Sequence, residues 1–170
     1  MSVHDPVNMS SSYSNYSANL LVSALLRYPE IGTMSCVREN QALVIKFIVT
    51  DDHNYESLEK KLRQALEIYH KIEGRKMSLF EMNIQGSDPS ILVIKRDIAS
   101  MSQTEMNLLV EMIKMECGKN LVQEESNLPE DDIIFQDEVI NHMLAVLRSN
   151  GTEKSFTAVR EEGKVLVFNG

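Results

Sequence analysis

Asp51, Asp52 and His53 stand together between an apolar run and an amphipathic segment. A carboxylate beside an imidazole could serve acid–base chemistry or supply half of a metal site. Neighbours in sequence at a strand end point in different directions, however. Acids ahead of a helix also complement its dipole, and Asn54 is placed to cap it. The trio is therefore kept as a candidate polar site, not a catalytic one. Glu130, Asp131 and Asp132 could take a divalent cation. Calcium loops space their oxygens at alternate positions around a glycine, and this stretch has none. These acids read as a solvated linker that favours the start of the next helix. Cys36 and Cys117 lie far apart and have no CxxC partner, so they read as small buried hydrophobes rather than nucleophiles, a disulfide or zinc ligands. His70 stands on a helix beside Tyr69 and Lys71, and His142 follows Glu138 by one helical turn, close enough to pair. No HExxH, GxGxxG, Walker or GxSxG pattern occurs. No catalytic residue, cofactor or metal ligand is assigned.

The 170 residues carry 43% hydrophobic and 25% charged side chains, enough for a self-sufficient core without a staple. The net charge is −8 and much of it is local. Between Lys119 and Arg148 there are seven acids and no Lys or Arg. An acidic chain is a poor partner for a phosphate backbone, and the aromatic-rich strand motif of RNA-recognition modules is missing. No signal-peptide pattern opens the chain and no apolar run is long enough to cross a membrane. The expectation is a cytoplasmic protein with no nucleic-acid or membrane partner.

Hydrophobic periodicity then sets out the elements. Residues 1–16 lack a period and are expected to form a disordered tail. A helix follows from Ser17 and stops before Pro29. A strand is expected over Ile31–Val37, and the clearest one over Ala42–Thr50, with Leu43, Ile45, Phe47 and Val49 on one face. The next helix runs from Tyr55 to Glu73, ended by Gly74, with Leu58, Leu62, Ala65, Tyr69 and Ile72 as its apolar stripe. Strands at Met77–Gln85 and Ile91–Arg96 lead to a capping box in which Ser102 and Glu105 serve each other's amides. The helix it opens buries Met106, Leu109, Val110, Ile113 and Cys117, leaving Met112 and Met115 off the stripe. A short strand at Leu121–Gln123 precedes the acidic stretch. A helix from Phe135 to Ser149 follows, with Val139, Met143, Val146 and Leu147 apolar. A hairpin over Phe156–Arg160 and Lys164–Phe168 ends the chain.

This order gives an α+β fold with a ferredoxin-like βαββαβ core over about 42–123, an N-terminal helix and strand, and a C-terminal helix–hairpin. The implied organisation is a core domain over 17–123, an acidic linker over 124–134 and a helix–hairpin appendage over 135–170. The segments Val37–Ile45 and Val159–Val167 align without gaps. Charged turns between apolar strands resemble one another on physical grounds, so the echo alone is no basis for a repeat. Strands 42–50 and 91–96 are apolar on both faces, which predicts cover on both: at least one helix of the chain itself, or a second copy. The function expected is a non-catalytic interaction or regulatory domain, with a protein partner or itself as a homodimer. Met112, Met115, Glu130, Asp131 and Asp132 are its candidate contact residues. A small-molecule sensor is the alternative, and a small enzyme using Asp52 and His53 is a distant third.

Overall fold

The computed structural model describes residues 16–50 and 54–170. Asp51, Asp52 and His53, and nearly all of the expected tail, lie outside the described residues. Four helices and a seven-stranded antiparallel sheet make up an α+β fold. In chain order they are α1 (Tyr16–Arg27), β1 (Thr33–Val37), β2 (Ala42–Val49), α2 (Tyr55–Glu73), β3 (Phe80–Gln85), β4 (Ser90–Asp97), α3 (Gln103–Cys117), β5 (Leu121–Val122), α4 (Glu130–Asn150), β6 (Phe156–Glu161) and β7 (Lys164–Asn169).

The strands lie in the order β3-β4-β2-β1-β6-β7, with β5 also paired to β2. β4 runs along the whole of one edge of β2, and β1 and β5 share the other. β1 covers residues 42–46 and β5 covers 48–49. The β1–β6 pairing joins the C-terminal hairpin to the rest of the sheet. It pairs Thr33 through Cys36 with Val159 back to Phe156, and the hydroxyls of the facing Ser35 and Thr157 are 2.8 Å apart. Met34 faces Ala158 and Cys36 faces Phe156, so the two helix–hairpin units meet about a local two-fold.

Alternation sorts each strand into two rows. Leu43, Ile45, Phe47 and Val49 of β2, Leu92 and Ile94 of β4, Met34 and Cys36 of β1, and Phe156 and Ala158 of β6 join the helices in one buried cluster. The alternate residues are absent from that cluster. Among the described residues all four helices lie on one side of the sheet, so the expected cover of the second face by a helix of the chain is not found. The apolar content of the strands demands cover but does not say what supplies it.

Two helical stripes differ from the expectation. On α2 the buried positions are Leu58, Leu62, Leu66 and His70, one per turn, while Ile72 is exposed. His70 sits there because a tertiary polar cluster receives it. On α4 the buried residues are Ile140, Leu144 and Leu147. That helix begins at Glu130, so Glu130, Asp131 and Asp132 form its first turn, where their charge favours the positive end of the dipole. The N-cap is Pro129, which makes no side-chain hydrogen bond there.

The termini of α2 are specified locally, whereas the end of α1 is capped from a distant strand. Asn54 Oδ1 accepts from the amide of Ser57, and Gly74 takes the left-handed conformation, φ 73°, that ends α2. At the end of α1, Arg160 of β6 donates to the carbonyls of Leu25, Tyr28 and Ile31, satisfying orphan acceptors with a cation.

Candidate functional site

The strongest concentration of charge inside the fold lies where β4 ends, α3 begins and α2 finishes. Alternation puts Arg96 on the helix-facing row after Leu92 and Ile94, and its side chain is fully buried. Its guanidinium grips Glu105 in a fork, Nε donating to Oε2 at 2.5 Å and Nη2 to Oε1 at 2.7 Å. Nη1 donates to the carbonyl of Leu79 at 2.9 Å and to Asp97, and Nη2 to the Ser100 hydroxyl at 3.0 Å. His70 Nε2 lies 2.5 Å from Glu105 Oε1, and its Nδ1 is buried without a hydrogen-bond partner. The tautomer with Nε2–H therefore fits the arrangement, with a bare lone pair rather than an N–H left buried. Two donors converge on one carboxylate oxygen, which accounts for the 3.1 Å between Arg96 Nη2 and His70 Nε2.

The capping box forms only on one side. Ser102 Oγ accepts from the Glu105 amide at 3.1 Å, but the Glu105 carboxylate is drawn away to Arg96 and His70. Tyr69 and Ser102 share a hydroxyl–hydroxyl bond of 2.8 Å.

The electrostatics follow from this enclosure. Burial alone would lower the Arg96 pKa, but the hydrogen bonds and charge of Glu105, with those of Asp97, outweigh it and raise it. Burial likewise pushes Asp97 up, and the Ser100 hydroxyl, the Arg96 charge and the Leu79 amide together hold it below its ordinary value. Sealed from solvent, these groups cannot meet a diffusing substrate, and the cluster is a structural tie. A carboxyl lowered by folding contributes stability above its ordinary pKa and loses it as pH falls through the folded value. The urea midpoint of the native protein should therefore fall more steeply below about pH 4 than that of Asp97→Asn. Parallel pH dependences in the two proteins would show that Asp97 is not the group responsible.

Cys36 and Cys117 are buried. Burial pushes the Cys36 thiol up to about 12, and burial with the Glu116 charge raises Cys117, so neither offers a thiolate at neutral pH. Met112 is half-buried against the core, Met115 is 84% exposed, and Glu130, Asp131 and Asp132 are exposed. They do not converge on a shared cleft. His142 meets Tyr16 edge-on and makes no ion pair with Glu138. Among the described residues no three His, Cys, Asp or Glu side chains gather to hold a metal ion.

The accessible site is on the other face of the sheet. Read across β3, β4, β2, β1, β6 and β7, one row runs Asn83, Val93, Lys46, Thr33, Val159, Leu166. The next runs Glu81, Lys95, Val44, Ser35, Thr157, Phe168. Beyond the first row, Gln85, Ile91, Ile48 and Val122 make a shorter one. Apolar and polar side chains mix across this face, with Ile48 beside Ile91 and Val159 beside Leu166 as apolar pairs. Where β1 begins and β5 ends, both beside β2, a cavity of about 530 Å³ opens onto it. Thr33, Lys46, Ile48, Ile91, Val122 and Val159 line it, with Glu124 and Arg160 at one side. The cavity exists because one sheet lane is filled by two pieces of chain far apart in sequence. No local pattern announces it.

Comparison with protein-family models, curated proteins and solved structures finds no match for this chain. Among the described residues no helix is long and apolar enough to cross a membrane. The functional reading therefore rests on the site itself.

Proposed function

We propose that the chain is a non-catalytic cytoplasmic interaction domain with a ferredoxin-like centre, and that the open sheet face is where it meets a second copy of itself. The order β3-β4-β2-β5, antiparallel throughout and with α2 and α3 as crossovers, supports the ferredoxin-like reading. The observation that carries the interaction reading is the sheet face that no helix covers among the described residues, on which Ile48 beside Ile91 and Val159 beside Leu166, with Val44 and the exposed Phe168, stand among Thr33, Ser35, Lys46, Lys95 and Thr157. Apolar side chains grouped on an open face mark interfaces more often than solitary ones do. Lysines and acids both occur on this face, Lys95 beside Glu81 and Lys164 beside Glu161, so two copies face each other without a single-signed field.

The test is sedimentation equilibrium. The native protein is expected to dimerise as concentration rises. Val159→Lys, between Thr33 and Leu166 on the face, should raise the dimer dissociation constant about tenfold or more. A native protein that stays monomeric up to about millimolar concentration, beyond the range of stable homodimers, overturns self-association. A second reading, a small-molecule sensor, is favoured by the cavity, whose volume lies in the range of about 300–1,000 Å³ typical of ligand sites.

A further inference from the structure

The cavity has a directional chemistry that an interface alone does not require. Its walls are mostly aliphatic: Ile48, Ile91, Val122 and Val159. Lys46 stands among them, with Thr33 and Val93 as its cross-strand neighbours. Lys95, one row away, has Glu81 directly across from it, whereas no acid lies across from Lys46 on either side. Among the described residues the Lys46 ammonium makes no ion pair and no hydrogen bond. The other cation at the cavity, Arg160, is already committed to three backbone carbonyls at the end of α1. The acid at the cavity, Glu124, is exposed and makes no ion pair with either cation. Among the described residues Lys46 thus remains a half-buried cation in a mostly aliphatic wall with no ion-pair partner.

We infer that the cavity binds a small organic anion with one apolar body and one carboxylate-type head, the body against Ile48, Ile91, Val122 and Val159 and the head on Lys46. The assignment rests on the second reading, the small-molecule sensor, and it names the ligand class for the cavity. A charge-assisted hydrogen bond to the ammonium supplies the preference for an anion, and the aliphatic wall supplies affinity for the body. A ligand of either part alone leaves half of the site unused.

The test compares decanoate with decan-1-ol, which share an apolar body and differ at the head. Each is titrated into 15N-labelled native protein and into Lys46→Met, and amide shifts are followed. Decanoate should bind the native protein about tenfold more tightly than the alcohol, the ratio one charged hydrogen bond supplies. The shifted amides should be those of residues 31–33, 46–48 and 122–124. Lys46→Met, folded by the same spectra, should bind the two equally. Equal binding by the native protein would overturn the anionic head while leaving an apolar binding face. Failure of both ligands to shift these amides would overturn the ligand altogether. Sedimentation of the same samples reads self-association separately, so the two failures are distinguishable.

Discussion

Replacing Arg96 with methionine is expected to lower the free energy of unfolding by about 3–5 kcal/mol, the cost of removing one member of a buried ionic cluster. The reason lies in what is left behind rather than in what is removed. Glu105 is fully buried, and its carboxylate receives both arms of the Arg96 fork besides His70. Without the guanidinium it keeps a single partner inside an apolar core. Asp97 loses its cation as well, although the amides of Ser78 and Leu79 still donate to it at 3.2 and 3.0 Å. The Leu79 carbonyl and the Ser100 hydroxyl lose a donor. Because the members act together, their costs should not add: Arg96→Met combined with Glu105→Leu and His70→Leu should lose less than the sum of the three single losses. Urea denaturation of the native protein and the four variants measures this. A loss below about 1 kcal/mol for Arg96→Met alone would place it with ordinary surface substitutions and refute the tie.

Much of the sheet and the helices was legible because their signals are local. The alternation of Leu43, Ile45, Phe47 and Val49, the Gly74 stop and the Ser102 cap each lie within a few residues. The Arg96 cluster was not legible, since it joins three elements, and Glu105 reads as a capping-box partner when only its neighbours are considered. One signal was available: alternation from Leu92 and Ile94 puts Arg96 on the buried row, and a buried arginine requires an acid. On α2, the apolar character of Ile72 suggested a stripe that drifts around the helix. Burial instead follows Leu66 to His70, because the cluster draws the histidine inward. The cavity had no local signal either. Lys46 looks like an ordinary polar break in a strand until β1, β5 and β4 are laid beside it.

Phe156→Ala should cost about 3–5 kcal/mol, as large core truncations do, and the loss should appear in a single transition. Phe156 is buried on β6 opposite Cys36, at the seam between the C-terminal helix–hairpin and the rest of the sheet. If the C-terminal unit were an independent appendage, the substitution would unfold that unit first and leave the remainder nearly as stable as before. Several contacts argue for one cooperative body. Arg27 of α1 pairs with Asp137 of α4 at 2.7 Å, and Gln103 of α3 reaches the same carboxylate at 2.9 Å. The Gln41 side chain accepts from the Thr152 amide and donates to its carbonyl, at 2.8 and 3.1 Å. Arg160 caps α1 from β6. The absence of tryptophan makes the measurement selective. All five tyrosines lie at or before Tyr69, so tyrosine fluorescence reports on the N-terminal half while far-ultraviolet circular dichroism reports on the whole chain. Coincident transitions by the two probes, both shifted in Phe156→Ala, are the signature of one cooperative unit. A shift seen by dichroism alone would separate the C-terminal unit from the rest, and the β1–β6 pairing would then be a docking contact between two folded parts.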